Sequence, residues 1–157
     1  MHLRPGCSVV DLKGFEQLKD FHKYIKQFPS DLEALDQILS WFDQLSQPSI
    51  PRKVWLQCQL ALAEGFTNAV RHAHKGLSSS ELVIDIEVTI APQSLELRIW
   101  DWGPPFDLAK RLQELEHQVD LRAGGGRGLA ILQKISDQLS YTRTDDNRNC
   151  LLVAKSY

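Results

Sequence analysis

The chain has 157 residues, of which 43% are hydrophobic and 24% are charged, values that are ordinary for one globular domain. Its formal net charge of -2 differs from the basic character typical of nucleic-acid-binding domains, so we expect no nucleic-acid partner. No run approaches the roughly 18–20 apolar residues that span a bilayer, and the N-terminus lacks the apolar core of a secretion signal. We therefore expect a cytoplasmic protein without a membrane partner.

The first clear secondary-structure signals begin after residue 20. Residues 1–20 show little periodicity, and we treat them as an N-terminal extension of unknown role that precedes one domain over residues 21–157. The stretch 21–28 has the character of a first strand. Ser30 and Glu33 fit a capping box, in which two side chains satisfy free N–H groups at a helix start. Apolar residues then recur at helical spacing, which predicts a first helix.

A second, longer helix is predicted over residues 52–74, where Pro51 suits the first turn because its missing N–H is harmless there. One side of this helix is apolar and is expected to pack on a sheet. Glu64 and Asn68, four residues apart, lie together on the opposite, polar side. Gly76 is well placed to cap the C-terminus.

The rest of the chain alternates between strand and helix patterns. The predicted elements are a strand pair, a polar helix, a helix that follows a glycine run, and two final strands: 82–90, 95–101, 108–118, 128–139, 139–144 and 150–155. This order predicts an α+β fold, a two-layer sandwich in which helices cover one face of a mixed, mostly antiparallel sheet.

Glu64 and Asn68 are the first candidate site. A solvated helix face would explain the pair, but asparagine is unfavourable within a helix because its amide competes for backbone hydrogen bonds. The Asn68 carbonyl oxygen could instead ligate Mg²⁺, a hard cation that prefers oxygen. Glu64, one turn away, could accept a proton from an attacking hydroxyl or water.

Asp101 is the second candidate, at the end of a hydrophobic strand and close to Gly103. An aspartate at this point can simply initiate a turn. It can also accept a hydrogen bond from the exocyclic amine of adenine, with the glycine allowing a flat base to lie against the backbone.

The glycine run from Gly124 to Gly128 is the third candidate. A flexible linker would explain it. A phosphate site would explain it too, because the run opens into a helix whose free N–H groups attract phosphate. Arg122 and Arg127 lie beside or within it, and arginine suits phosphate oxygens. Neither a Walker loop nor a dinucleotide-binding fingerprint fits the spacing.

Taken together, three segments resemble the motifs of the Bergerat-fold ATPases, the superfamily of DNA gyrase and the histidine kinases. AEGFTNAVRHAH (63–74) is similar to the N box, IWDWGPPFD (99–107) to the first glycine box, and GGGRGLAIL (124–132) to the second. Within the superfamily the chain is most similar to the bacterial serine-kinase anti-sigma factors. The resemblance covers about residues 22–155.

The resemblance implies ATP and Mg²⁺ as cofactors. Asn68 would ligate Mg²⁺, Glu64 would serve as general base, and Asp101 would bind adenine with Gly103 beside the base. Residues 106–123 would form a lid. The residues implied at the phosphates are Arg122, Gly124, Gly125, Gly126, Arg127, Gly128 and Leu129.

Two positions depart from the family pattern. Pro105 stands where many members have a second glycine. The slot from Asn147 to Cys150 lacks the Gly-Thr pair that often precedes the last strand, and with it a threonine hydroxyl near the adenine. Neither departure removes Glu64, Asn68 or Asp101.

The resemblance also implies a function. The chain would be a protein serine/threonine kinase that phosphorylates an anti-anti-sigma partner and sequesters a sigma factor, controlling transcription by partner switching, as a homodimer. Two alternatives remain open at this point. One is a nucleotide-gated partner-binding regulator without kinase activity, and the other is a histidine-kinase-type ATPase domain.

Overall fold

The computed structural model describes residues 21–77, 82–117 and 126–157. Within them, five strands form one sheet in the order β1-β2-β3-β5-β4. The strands are β1 (His22–Pro29), β2 (Val83–Ala91), β3 (Ser94–Asp101), β4 (Gln138–Arg143) and β5 (Asn149–Ser156). The α-helices are α1 (Leu35–Gln44), α2 (Arg52–Asn68), α3 (Leu108–Glu116) and α4 (Arg127–Ile135). None of these helices is long and apolar enough to cross a membrane.

The core lies between the sheet and the helices, as the alternating strand pattern predicts. Ile86 pairs with Ile99 and Val88 pairs with Leu97 across β2 and β3, and all four side chains are buried. The opposite sheet face carries charges, including the Arg98–Glu87 ion pair at 3.4 Å. The predicted α+β fold with helices on one face is confirmed. The sheet expected to be mixed is antiparallel at every described pairing.

The two longest helices pack through an aromatic pair. Phe42 of α1 stacks on Trp55 of α2, with ring centroids 4.0 Å apart and planes inclined by 10°. Both side chains are fully buried. Because α2 also lies directly on the sheet, this pair holds α1 to the part of the core that supports the site.

The start of the first helix differs from the sequence prediction. Ser30 does not form a capping box with Glu33, because its hydroxyl is hydrogen-bonded to Nδ1 of His74 at 2.7 Å. The backbone N–H of Ser30 still pairs with the carbonyl of Leu82, which keeps the residue at the sheet. The side chain of Asp31 caps instead, by accepting from the Glu33 N–H at 3.0 Å. A short 3₁₀ turn, Leu32–Ala34, then leads into α1.

The end of the second helix also differs. Regular α-helix stops at Asn68, and Ala69–Ala73 forms a π-helical turn closed by a bond from the His74 N–H to the Ala69 carbonyl at 2.9 Å. Such turns widen the helix by one residue and often occur at functional sites. Gly76 has a φ of 79°, as expected of the predicted C-terminal cap.

His74 joins this widened turn to the loop that follows β3. Its Nε2 accepts the backbone N–H of Trp102 at 2.9 Å, so the proton of the neutral ring is on Nδ1 and faces Ser30. Gly103 follows, and a Cβ on it would lie 2.7 Å from the Ala73 carbonyl oxygen. The loop after β3 therefore rests against the end of the second helix, and only glycine fits there.

We expect Phe42→Ala to lower the free energy of unfolding by about 3–5 kcal/mol, because it leaves a cavity beside Trp55. Chemical denaturation measures the loss. Phe21→Ala is the matched control, since Phe21 is 43% exposed and surface substitutions stay within about 0.5 kcal/mol. Equal losses in the two variants would contradict the packing described.

We expect His74 to make stability depend on pH. Burial lowers the pKa of His74 below its ordinary value of 6.5, although nearby Asp101 opposes the shift. The unfolded chain therefore binds a proton where the folded chain does not. The stabilisation is fully present above about pH 6.5 and is lost as the pH falls through the folded pKa. His74→Gln keeps an acceptor for the Trp102 N–H without titrating.

The free energy of unfolding is measured for the wild type and His74→Gln between pH 7.5 and about 5. The contribution of His74 is the difference between the two slopes of that free energy against pH. Parallel slopes would show that His74 does not titrate on unfolding.

Candidate active site

A cavity of about 380 Å³ opens between the second helix, the C-terminal end of β3 and the start of α4. Its walls are mostly apolar with a few polar groups, which is the usual form of a small-molecule site. The lining residues that matter below are Asn68, Asp101, Phe106, Leu129 and Tyr141.

Glu64 and Asn68 meet the start of α4 near this cavity. A Cβ on Gly128 would lie 2.5 Å from Glu64 Oε2 and 3.5 Å from Asn68 Oδ1, so the first turn of α4 lies directly on this pair. Both side chains are half-buried. The polar side of α2 is thus covered at this point, and the interpretation as a wholly solvated face is wrong here.

The Asn68 side chain carries an unpaired group. Among the buried side-chain nitrogen and oxygen atoms of the described residues, Asn68 Nδ2 is the one without a hydrogen-bond partner. A buried unsatisfied donor costs about 1–3 kcal/mol. Because Asn68 also lines the cavity, a ligand with an acceptor oxygen would satisfy it.

The other residues predicted at the phosphates divide into two groups. Gly126 is buried, and a Cβ there would overlap the side chain of Leu115, which packs α3 against α4. Arg127 is exposed in the first turn of α4, and Leu129 lines the cavity. The remaining predictions lie outside the described residues: Arg122, Gly124, Gly125, the lid segment 118–123 and the extension 1–20.

Asp101, at the end of β3, also lines the cavity and is 3% exposed. Its Oδ1 accepts from the Gly103 N–H at 2.8 Å and from Asn149 Nδ2 at 2.9 Å. Its Oδ2 accepts from the hydroxyl of Tyr141 on β4. The structure therefore joins Asp101 to Gly103 by a hydrogen bond and adds two partners that sequence reasoning missed.

Asn149 and Arg143 hold the loop after Asp101. Asn149 is 1% exposed and its Nδ2 also donates to the carbonyls of Gly103 at 3.0 Å and Pro104 at 3.1 Å. Arg143 Nη1 donates to the same Gly103 carbonyl at 2.8 Å. The one sequence signal for Asn149 was its place in the slot where the family threonine is absent.

The comparisons with known proteins agree with this geometry. The family model described as "Histidine kinase-like ATPase domain" matches residues 28–155. Proteins named serine-protein kinase RsbW are similar over 86 residues: 31% identical in Bacillus pumilus (strain SAFR-032), and 34% identical in Listeria monocytogenes serotype 4a (strain HCC23) and in Listeria innocua serovar 6a.

These alignments cover 52% of this chain and 53–54% of the relatives, so the chain spans about half the length of the curated relatives it matches. The similarity confirms the resemblance to the serine-kinase anti-sigma factors that the motifs indicated. The family match extends over most of the chain and includes all three motif segments. This chain belongs to the histidine kinase-like ATPase domain family.

Proposed function

We propose that this chain is a Mg-ATP-dependent serine/threonine protein kinase and anti-sigma factor that phosphorylates an anti-anti-sigma partner. The observation that carries the proposal is the contact of Gly128 with Glu64 and Asn68. It joins a carboxylate, an unpaired amide and a helix N-terminus close to the cavity whose other end is Asp101. The similar proteins named serine-protein kinase RsbW support the same choice of activity.

The polar groups at the cavity suit ATP with its adenine at Asp101 and its phosphates at the start of α4. Asp101 suits the adenine amine, because it lines the cavity and its carboxylate oxygens are hydrogen-bond acceptors. The first turn of α4 offers free N–H groups and the positive end of a helix dipole to the phosphates. Asn68 Nδ2 would donate to a phosphate oxygen. The exposed Arg127 would bind the outer phosphates, and we propose the same role for Arg122, Gly124 and Gly125.

The residues present also fit Mg²⁺. Asn68 Oδ1 faces the start of α4, and an amide oxygen is a ligand that Mg²⁺ accepts beside phosphate oxygens and water. When bound, the ion would neutralise charge on the phosphates. The position of Asn68 Oδ1, 3.5 Å from where a Cβ on Gly128 would lie, is the structural observation that supports this assignment.

Glu64 would act on the hydroxyl of the protein substrate. Its carboxylate would accept the hydroxyl proton while the hydroxyl oxygen forms a bond to the γ-phosphorus and the bond from that phosphorus to ADP breaks. The N–H groups of α4 would stabilise the charge on the transferring group. Most of the catalysis in such transfers comes from positioning and electrostatics, which suits a site built from two packed helices.

Phosphorylation would switch partners. A phosphoryl group adds about -1.5 to -2 charges at neutral pH and breaks an interface that has no matching cation. The unmodified anti-anti-sigma protein would compete with a sigma factor for this chain, and its phosphorylated form would not. We propose that the chain works as a cytoplasmic homodimer.

We expect Glu64→Gln to lower the rate of phosphoryl transfer by about 10²–10⁴, the usual contribution of a general base. ATP affinity should remain, because the amide is the same size as the carboxylate. The assay incubates this chain and Mg-ATP with a candidate anti-anti-sigma protein and measures the mass of that protein. Glu33→Gln, on an exposed residue at the start of the first helical segment, is the matched control.

Full transfer by Glu64→Gln would exclude Glu64 as the base. A different result is that the partner binds the wild type in a nucleotide-dependent way and gains no mass. That result would establish that the chain is a nucleotide-gated regulator without kinase activity.

We expect Gly128→Ala to separate binding from stability. The added methyl would press on Glu64 Oε2, so ATP affinity should fall at least about tenfold, or 1.4 kcal/mol. Thermal stability should not fall, because alanine favours helix by about 1 kcal/mol over glycine. Gly76→Ala is the converse control: its φ of 79° makes alanine destabilising, and no effect on ATP is expected. Calorimetry measures both affinities.

A further inference from the structure

The base end of the cavity contains a donor that none of the predicted roles uses. Three groups donate to the Asp101 carboxylate: the Gly103 N–H, Asn149 Nδ2 and the Tyr141 hydroxyl. Of these residues, Tyr141 also lines the cavity. The first two occupy Oδ1 and keep the carboxylate in place. The third donates to Oδ2, and both residues of that hydrogen bond, Asp101 and Tyr141, line the cavity.

Tyr141 is held in position by its surroundings. It pairs with Leu151 across β4 and β5, and its ring meets Phe106 edge to face, with centroids 5.9 Å apart and an interplanar angle of 82°. Burial and the neighbouring Asp101 raise the pKa of the Tyr141 hydroxyl. It therefore remains a protonated donor at neutral pH.

Oδ2 of Asp101 and the Tyr141 hydroxyl present an acceptor and a donor side by side. The Watson–Crick edge of adenine is the complement: its amine donates and its ring nitrogen N1 accepts. Guanine carries a carbonyl and an N1–H at the same two places, which reverses the pattern. A site that hydrogen-bonds a substrate edge discriminates strongly, because a mismatched edge leaves buried groups unpaired.

We propose that Tyr141 is a second base-recognition residue, whose hydroxyl donates to N1 of adenine while Asp101 Oδ2 accepts from the amine. On binding, the amine N–H would replace the phenolic O–H at Oδ2, and the hydroxyl would turn to N1, so no buried group loses its partner. This role rests on the proposed ATP site. It also supplies a hydroxyl near the base in a chain that lacks the family threonine in the slot 147–150.

The test combines a variant with a ligand analogue. Tyr141→Phe and the wild type are titrated by calorimetry with ADP and with 1-deaza-ADP, in which a C–H replaces N1; no phosphoryl transfer takes place with the diphosphates. For the wild type, 1-deaza-ADP should bind about 3- to 12-fold more weakly than ADP, the range of one neutral hydrogen bond. Tyr141→Phe should bind ADP more weakly by a similar factor and should not distinguish the two ligands.

The control is Tyr157→Phe. It removes a hydroxyl that donates to the carbonyl of Ala91 on β2 at 3.0 Å, and Tyr157 does not line the cavity. It should retain the wild-type preference for ADP over 1-deaza-ADP. Titration with GDP adds a second readout, since the preference for ADP over GDP should narrow in Tyr141→Phe.

Additive losses, in which Tyr141→Phe still discriminates against 1-deaza-ADP as the wild type does, would overturn the proposal and leave Tyr141 as a residue that positions Asp101. Equal wild-type affinity for ADP and 1-deaza-ADP would overturn it as well, even if the variant did not fold. Failure of the wild type to bind ADP at all would overturn the ATP site itself, which distinguishes the two failures. Binding of ADP without kinase activity would leave the role of Tyr141 intact.

Discussion

The part of the cavity at the end of β3 depends on the hydrogen bonds that the buried carboxylate of Asp101 accepts. A charge removed from water costs several kcal/mol unless it is paired or hydrogen-bonded. Three parts of the chain meet that demand: the loop through Gly103, β4 through Tyr141 and β5 through Asn149. The end of β3 is therefore the point at which the sheet, the loop and the cavity wall are fixed together.

The part of the site around Glu64 and Asn68 depends on a different constraint, the close approach of two helices. An amphipathic surface helix ordinarily buries one side and leaves the other in water. Here the start of α4 covers part of the polar side of α2, and the contact is close enough that a Cβ at position 128 would displace the Glu64 carboxylate. It leaves Glu64 half-buried and the Asn68 amide unpaired. A buried N–H without a partner, such as that of Asn68 Nδ2, is expected where a bound ligand accepts the missing hydrogen bond.

His74 connects both parts of the site to the rest of the fold. The π-helical turn after α2 brings the ring between Ser30, which follows β1, and the backbone of Trp102. The same turn supplies the surface of Ala73 on which Gly103 rests. Residues that hold the fold together thus also set the position of the Asp101 loop, so stability and ligand binding share these contacts.

Sequence reasoning predicted the order of the elements, the helices on one face of the sheet and the candidate residues Glu64, Asn68, Asp101 and Gly128. These follow from periodicity and from motif spacing, which are local properties of the chain. The predicted capping box at Ser30 was wrong because its hydroxyl is hydrogen-bonded to the ring of His74, 44 residues away, and not to a neighbouring backbone N–H. Local pattern contains no information about the second option.

By itself, then, the sequence determined which residues carry charge, amide and glycine, and in what order they come. The tertiary structure decided which of them meet. Tyr141 and Asn149 reach Asp101 across 40 and 48 residues of chain, and their roles depend on the β3-β5-β4 strand order, which no short segment encodes. Hydrogen bonds to a buried carboxylate require that its partners lie close to it in space, and these residues come close only once the sheet has formed.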